Sequence, residues 1–484
     1  MQDAGISAEK SDNRTALAWG FGGISVGIKN NLLSVWLLYY YNQVLGLDGY
    51  LVSVALAIAL VFDAISDPLI GVWSDRTASR WGRRHPFMYA AIIPFTLSYY
   101  FILQDPGEAT KVEIFYRLLF LMIVMRVSMT FYEVPRTALA PELSKDYDQR
   151  SKFTGLSSAF GWFGGAGISA VMAYYFLGDS YSNADGYHLL GFYGGLGIFI
   201  GSVVTSLGTH RKIPELHVPE PNKMVAGDLY KQAKETLTNK NWGILFASGS
   251  IFALLVGVDT GAGTYYNDYL WEFRPEETAL FAIFGAISVI IVSIAAPALS
   301  VGRSKKHIAL GVFMSAVVVG PLPIFLRLID PYFSISLFPD NGTEFLWWTL
   351  MVHFCTHQAL AALGFIYVAS MSMEIVEQVQ EKTGRREEGL LGSANSMIQK
   401  LIAAGGLLIA GLIITVSGFD DPLITQELKV SSAIVSFSWI HIVIGFFLPL
   451  CSTLLIAFYD IGRKDHLARV DKLGYAKKIQ QPNG

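Results

Sequence analysis

The apolar residues of this chain fall in runs that are long enough to cross a membrane as helices. Many runs reach about 18 residues, and a helix of that length spans roughly 30 Å of hydrocarbon. Barrel strands would instead alternate apolar and polar residues over shorter segments. The pattern predicts an all-α integral membrane protein with twelve transmembrane helices. These spans lie near residues 15–45, 50–75, 86–104, 113–140, 153–178, 188–208, 242–270, 278–301, 307–329, 346–377, 390–418 and 431–460.

A polar segment that contains prolines, residues 209–241, divides the spans into two sets of six. We therefore expect an N-terminal six-helix bundle over 1–208 and a C-terminal six-helix bundle over 242–460, joined by a cytoplasmic linker over 209–241. Residues 461–484 are expected to form a cytoplasmic tail. Two similar bundles around a central cavity are typical of secondary transporters.

The basic residues are distributed unevenly between the two sides of the predicted membrane. If the spans alternate in direction, most of the 36 Lys and Arg lie on the side of the N-terminus, and the opposite loops carry only Lys111, Arg274 and Lys429. The positive-inside rule then places both termini in the cytoplasm of a multi-pass protein of the inner (plasma) membrane. A net charge of −3 argues against nucleic-acid binding. Cys355 and Cys451 both lie in apolar runs, so no disulfide framework is expected.

Glycines recur at helical spacing in spans five and six. The pairs Gly161/Gly165 and Gly197/Gly201 have the small-xxx-small spacing that lets two helix backbones approach closely. We expect these glycines to serve close helix packing. The alternative is that they allow helices to slide during transport.

Two aspartates lie inside the apolar second span, in "FDAISDPLIG". A charge at mid-bilayer costs several kcal/mol, so such groups face a cavity, pair with each other or bind an ion. Asp63 and Asp67 share one helix face and repel each other unless a cation or a proton lies between them. Pro68 leaves the carbonyl oxygen of Ala64 without its helical donor, and Ser66 adds a hydroxyl. The pattern predicts a site for Na⁺ or H⁺; the alternative is a salt bridge to a basic residue of a neighbouring helix.

Span four carries a polar stripe in "RVSMTFYEVPR". Arg126, Thr130 and Glu133 are spaced by one and two turns, and Arg136 lies one turn beyond Glu133. Thr130 is expected to add a hydroxyl to the cation site if spans two and four touch. Glu133 is expected to complete that site or to bind a substrate hydroxyl. Arg136 is a candidate for substrate binding; alternatively, both arginines form a self-neutralising charge ladder with Glu133.

Other polar residues within the spans are candidates to line a cavity. Lys400 in span eleven is expected to pair with an aspartate when no cation is bound, unless it snorkels to the interface. Lys29, Asn30 and Asp259 are weaker candidates.

The chain resembles the glycoside–pentoside–hexuronide:cation symporters, the family that includes melibiose permease, a branch of the major facilitator superfamily. The segments "WGFGGISVG", "YYYNQVLGL", "FDAISDPLIG", "SRWGRRHPF", "EVPRTALAPEL" and "EIVEQVQEKTGRREEGL" stand in the family's order and spacing. The resemblance implies the major facilitator fold and alternating access. It implies cation binding by Asp63, Ser66, Asp67 and Thr130, sugar binding by Glu133, and a functional role for Lys400.

The resemblance also implies a cytoplasmic gate. The basic loop after span two matches the superfamily's loop signature, and the end of span ten matches an acidic pair followed by arginines. Alternatively, the arginines of the loop only set topology. The gating residues so implied are Asp75, Arg76, Arg83, Arg84, Glu374, Glu377, Arg385 and Arg386.

Three positions depart from the family pattern. Gly27 stands where the family has a sugar-binding aspartate, Leu60 where it has an arginine, and Thr137 where it has a tryptophan. The cation half of the site is therefore matched better than the sugar half. A related branch carries lysolipids with Na⁺, which leaves an amphiphile as the alternative substrate.

These observations predict a cation-coupled symporter for a sugar, glycoside or related small solute. The expected partners are the solute, a monovalent cation (Na⁺ or H⁺) and the lipid bilayer. The protein is expected to function as a monomer and to need no cofactor beyond the coupling ion. An enzyme is not expected, because His353 and His357 are the nearest approach to a metal or catalytic set and neither a base nor a third ligand accompanies them. A sensor would carry an output domain, and the tail after Asp460 is short.

Overall fold

The structure is a computed structural model that describes residues 13–77, 79–143, 147–213, 239–300, 302–334, 336–383, 388–420 and 427–461. These residues form helices joined by short turns, and no strand occurs among them. The all-α prediction is confirmed for this part of the chain. Arg385 and Arg386, two of the predicted gating residues, lie outside the described residues.

The helices of the first half follow the predicted spans closely. Span one is built from short α-helices and two π-helical segments, whereas spans two to six are long helices. The α-helices are Asn13–Phe21, Gly23–Asn31, Leu37–Tyr39, Gly49–Arg76, His85–Ile102, Lys111–Leu143, Tyr147–Val171 and Ala184–His210; the π-helical segments are Leu32–Trp36, Tyr40–Val44 and, at the end of span five, Met172–Phe176.

The second half repeats this order. Span seven is interrupted near Asp259 and, like span one, ends in a π-helical segment. The α-helices are Lys240–Val258, Ala262–Tyr265, Pro275–Ser300, Lys305–Val319, Leu322–Ile329, Glu344–Thr383, Glu388–Ser417 and Glu427–Ile456; the π-helical segment is Tyr266–Leu270.

Ten helices in the described part are long and apolar enough to cross a membrane. The other two predicted spans correspond to span one, which consists of short pieces, and to the 18-residue helix His85–Ile102 of span three, which contains Pro86 and Pro94. Membrane-spanning helices are therefore confirmed, and the count of twelve stays a prediction.

The chain packs as two compact units. The first unit comprises the described residues of Met1–Pro221, Asp259–Ile283 and Leu407–Ser431. The second comprises those of Asn222–Val258, Phe284–Gly406 and Ser432–Gly484. The first unit thus contains two short segments of the second half of the sequence, so contacts made by these segments can be described within it.

Spans one and five pack through their glycines in the first unit. A methyl group on Gly23 would lie 2.1 Å from the carbonyl oxygen of Ser157, and one on Gly27 would lie 2.0 Å from that of Gly161. The backbones therefore approach so closely that no other residue fits at these two positions. A methyl group on Gly161 itself would lie 3.6 Å from the carbonyl oxygen of Gly23, which is an ordinary contact, so the tight positions lie on span one.

The ends of spans one and seven have the same backbone geometry. The π-helical segments close with Leu45 N–H donating to Tyr40 O at 3.0 Å and Trp271 N–H donating to Tyr266 O at 2.9 Å. The left-handed Gly46 (φ 69°) then corresponds to Glu272 (φ 52°). Each pair is separated by 226 residues, the same separation as the hydrogen-bonded pair Gln43 and Tyr269. The two halves are therefore structural repeats at this end.

Candidate functional site

Spans two and four pack along each other and bring the predicted polar residues together. Asp63 and Thr130 are both only 2% exposed, and Ser66 and Asp67 are half-buried. The Thr130 hydroxyl oxygen lies 3.1 Å from Oδ1 of Asp63 and 3.0 Å from Oδ1 of Asp67. The Ser66 hydroxyl lies 3.1 Å from the same Thr130 oxygen. The structure thus groups the four residues for which cation binding was predicted.

The Thr130 hydroxyl has fewer protons than oxygen contacts. The Thr130 hydroxyl has one proton to donate, yet it faces two carboxylate oxygens and the carbonyl oxygen of Arg126 at 3.1 Å. At least two of these close oxygen pairs therefore lack a proton between them. A small cation among the oxygens, or a proton on one carboxylate, removes that repulsion. Hard oxygen donors of this kind suit Na⁺ better than a soft transition metal.

Arg126 contacts the other side of the Asp63 carboxylate. Its Nη1 lies 3.3 Å from Oδ2 of Asp63, and its side chain is 11% exposed. This is the salt bridge of the alternative interpretation, but it occupies one oxygen of Asp63 while the other faces Thr130. The guanidinium that the family resemblance places on span two, at the position of Leu60, is supplied here from span four.

The alternative interpretation of span four, a charge ladder of Arg126, Glu133 and Arg136, has no ion pair between these residues in the part of the chain that the structure describes. Arg136 donates to the carbonyl oxygen of Trp19 at 3.0 Å and to Ser157 Oγ at 2.6 Å, and its guanidinium lies over the Trp19 ring. Glu133 is half-buried and forms no hydrogen bond or ion pair with any described residue. Arg136 therefore serves the packing of spans one, four and five, and Glu133 is available to a ligand.

The remaining substrate candidates lie in different surroundings. Lys29 on span one is 3% exposed, whereas Asn30 beside it is exposed and its carbonyl oxygen accepts a hydrogen bond from Ser34. Lys400 is half-buried in the second unit, and Asp259 is exposed at the break of span seven.

The loop after span two forms a buried ion cluster with the end of span four. Arg84 contacts Asp75 and donates to Ser74 Oγ at 2.7 Å. Glu142 accepts from Arg83 at 2.7 Å and from Arg84 at 3.3 Å. Glu142 was missed by the sequence analysis, although it is the penultimate residue of the quoted motif "EVPRTALAPEL". Of the predicted gating residues, Asp75 and Arg76 are exposed.

A matching ion cluster lies in the second unit. Glu374, which is 6% exposed, pairs with Lys305 at 2.9 Å and accepts from the Tyr459 hydroxyl at 3.1 Å. Lys306 donates to the carbonyl oxygen of Tyr459 at 2.6 Å. Lys305 precedes span nine as Arg84 precedes span three, so the two clusters occupy equivalent places in the repeats. Glu377 is half-buried nearby on the same helix.

A second feature missed by the sequence analysis joins the two repeats within the first unit. The Tyr39 hydroxyl donates to Asp268. The Tyr265 hydroxyl donates to Asn42 at 2.8 Å. With the separation of 226 residues, Tyr39 is equivalent to Tyr265 and Asn42 to Asp268. We call these four residues the reciprocal tyrosine cluster. Its sequence signal is that the segments beginning at Tyr39 and at Tyr265, in "YYYNQVLGL" and "YYNDYL", both start with Tyr-Tyr at this separation.

Asp420 strengthens the same region from the end of span eleven. Its Oδ1 accepts from the Gly49 N–H and from Asn42 Nδ2, both at 2.8 Å, and its Oδ2 accepts from Thr415 at 2.6 Å. Asp420 therefore caps the first turn of span two, where the free N–H groups favour an anion.

His353, one of the two histidines of span ten, contacts a neighbouring helix. His353 Nε2 lies 2.8 Å from the carbonyl oxygen of Val319, the oxygen that Pro323 leaves without its helical donor. No group of three potential metal ligands occurs among the described residues. The His353 ring therefore contacts the carbonyl oxygen that the proline leaves without a backbone donor.

The chain is similar to known transporters along most of its length. The profile of the family described as MFS/sugar transport protein matches residues 18–463. An uncharacterized symporter of Synechocystis sp. is 36% identical over 172 residues, covering 34% of this chain and 31% of that protein. A putative glycoside/cation symporter of Escherichia coli (strain K12) is 24% identical and covers 86% of both chains. The solved structure of the nucleoside transporter NupG covers 93% of this chain and 100% of that one, with a TM-score of 0.57 and 14% identity.

Proposed function

Because the chain belongs to the MFS/sugar transport protein family, we propose that it is a cation-coupled symporter of a sugar, glycoside or related small solute. In this proposal the two repeats open the solute site to each side of the inner membrane in turn, and both termini lie in the cytoplasm. A relative that spans 86% of the chain is named a putative glycoside/cation symporter, which favours a sugar over an amphiphile.

One observation carries the cation-coupled mechanism. Thr130 holds one oxygen each of Asp63 and Asp67 within 3.1 Å of its hydroxyl, and a single hydroxyl proton does not serve both. The oxygens of such a cluster can replace the water ligands of Na⁺, or one carboxylate can take up a proton. A membrane potential of 100 mV supplies about 2.3 kcal/mol for each charge moved, roughly a fifty-fold concentration ratio.

We place the solute beside Glu133, two turns along span four from Arg126. Its half-buried carboxylate has no partner among the described residues and suits a sugar hydroxyl as donor. Lys29 and Lys400 stay candidates for further solute contacts. At the family's aspartate position, Gly27 is packed against Gly161, so no side chain can reach a solute from there.

Gating is assigned to three clusters. The positive-inside rule puts the ends of spans one and seven on the outer face, so the reciprocal tyrosine cluster closes the path from outside. The ion clusters around Glu142 and Glu374 then lie on the cytoplasmic side. We propose that these contacts break and re-form as the access side changes.

Uptake by proteoliposomes tests the function. A panel of glycosides, with a lysolipid as the amphiphile arm, is supplied under an imposed Na⁺ or proton gradient. We expect accumulation of a glycoside that depends on one gradient, and its loss in Asp63→Asn and Asp67→Asn. Asp185→Asn is the matched control, because Asp185 lies in the first turn of the helix Ala184–His210 and its side chain is 93% exposed. Accumulation that is normal in both span-two variants contradicts the cation site.

A further inference from the structure

We propose that Arg126 is an internal competitor of the coupling cation: it holds Asp63 while the ion is absent and turns to Glu133 when the ion binds. This inference rests on the proposed function and assigns a residue to the coupling step itself. It places the link between ion and solute on one face of span four.

The contact with Asp63 is suited to exchange. Arg126 approaches through a single nitrogen at 3.3 Å, which is longer than the roughly 2.7–2.9 Å of a strong charge-assisted bond, and it does not form a two-pronged pair. Its Nε is buried and has no hydrogen-bond partner among the described residues. The guanidinium is therefore held by charge but is not fully satisfied by hydrogen bonds.

The two oxygens of the Asp63 carboxylate face different groups. Its Oδ2 faces Arg126, and its Oδ1 faces the oxygen cluster at Thr130. A cation that enters the cluster neutralises Asp63 and repels the guanidinium on its other side. Ion and guanidinium therefore bind the same carboxylate with opposing effects.

Glu133 offers the guanidinium a second partner. It lies seven residues after Arg126 on the same helix, about 10 Å along the axis, a distance that a long arginine and a glutamate side chain together can bridge. It is half-buried and unpaired among the described residues. Release of Arg126 from Asp63 would change the charge beside the carboxylate to which we assign solute binding, which couples the two occupancies.

The test measures Na⁺ and Li⁺ binding to the purified full-length protein at pH 8.5 by isothermal titration. We expect Arg126→Gln to bind the ion about tenfold more tightly and Glu133→Gln to bind it several-fold more weakly, since Arg126 then has no alternative partner. In the double variant the Glu133 substitution should have no further effect. Arg126→Lys keeps the charge and should stay within about threefold of wild type.

The double variant separates competition from a plain charge effect. If Glu133→Gln weakens binding equally with and without Arg126, the exchange is contradicted. An Arg126→Gln affinity that is unchanged or lower also overturns it. Arg117→Gln is the matched control, because it is the same change on the same helix at a residue that donates to Phe101 O instead. Arg126→Met serves if Arg126→Gln does not give a monodisperse protein.

The outcome for the wild type distinguishes this inference from the proposed function. If wild type binds neither Na⁺ nor Li⁺, uptake is measured against pH; competition then raises the midpoint by about one pH unit in Arg126→Gln, and an unchanged midpoint overturns it. A wild type with no ion or proton dependence contradicts the proposed function as well. An ion-dependent wild type with no response to Arg126→Gln contradicts the competition alone.

Discussion

The hydroxyl of Tyr39 donates a hydrogen bond to Asp268, and the equivalent hydroxyl of Tyr265 donates to Asn42, the residue equivalent to Asp268. Each hydrogen bond therefore joins a tyrosine of one repeat to the polar residue of the other repeat, and the two bonds are equivalent. The rings of Tyr39 and Tyr265 meet edge to face with centroids 5.3 Å apart. The two repeats thus meet here through reciprocal bonds and the ring contact.

Tyr265→Phe removes one of these bonds and keeps the ring. A buried neutral hydrogen bond contributes about 1 kcal/mol, so we expect the ratio of closed to open molecules at this end to fall about fivefold. Spin labels are attached at Asp179→Cys, just after span five, and at Arg274→Cys, just before span eight, in a background with Cys355→Ser and Cys451→Ser. They report the distance between these two turns. The variant should increase the fraction at longer distance.

Tyr50→Phe is the control for this measurement, because Tyr50 is 44% exposed on span two. It should leave the distance distribution unchanged. Equal distributions for wild type and Tyr265→Phe would show that the reciprocal tyrosine cluster does not hold the outer end closed.

Two variants of Thr130 distinguish a role as cation ligand from a role in packing alone. Thr130→Val keeps the shape and removes the hydroxyl that faces Asp63 and Asp67, so we expect cation affinity to fall about tenfold or more. Thr130→Ser keeps the hydroxyl and should stay within about threefold. Titration of Na⁺ against initial uptake rates measures both. Equal affinity for the valine and serine variants contradicts a role for the hydroxyl oxygen.

The sequence predicted the helices well because their cause is local. Apolar runs of membrane-spanning length account for the ten long helices and for the interrupted segments of span one. The same runs did not predict the π-helical ends, such as Tyr40–Val44, because apolar periodicity does not record whether a carbonyl bonds four or five residues ahead.

The polar residues of the proposed cation site could be singled out from the sequence for a similar reason. Asp63 and Asp67 are one turn apart in an apolar helix, where unpaired charge is expensive. The contact of Asp63 with Arg126 joins residues that are 63 positions apart, and that of Tyr39 with Asp268 joins residues 229 apart. Such pairings depend on how spans pack, which a single sequence does not state.

A substitution of Gly27 tests the close packing of spans one and five at the position where the family has an aspartate. A methyl group there would lie 2.0 Å from the carbonyl oxygen of Gly161, so Gly27→Ala must push spans one and five apart. We expect a loss of stability of about 1–3 kcal/mol, seen as a lower melting temperature of the detergent-solubilised protein. Gly243→Ala, where no atom lies within 4 Å of the added methyl, should be neutral or stabilising. A Gly27→Ala protein that melts like wild type contradicts the close approach.

Glu142 is the residue on which the ion cluster after span two depends. It accepts from both Arg83 and Arg84, and the side chain of Arg84 is only 7% exposed. Glu142→Gln leaves this buried guanidinium with Asp75 and Ser74, so we expect a loss of about 1–3 kcal/mol in stability.

Transport measurements distinguish the proposed gating role of Glu142 from a purely structural role. If the cluster must break and re-form in each cycle, Glu142→Gln should change the ratio of influx to efflux rates in proteoliposomes, because one access state loses more contacts than the other. Glu276→Gln, which breaks the exposed pair with Arg274, should change stability by less than about 0.5 kcal/mol and leave the ratio unaltered. A lower melting temperature with an unaltered flux ratio would limit Glu142 to holding the loop after span two in place.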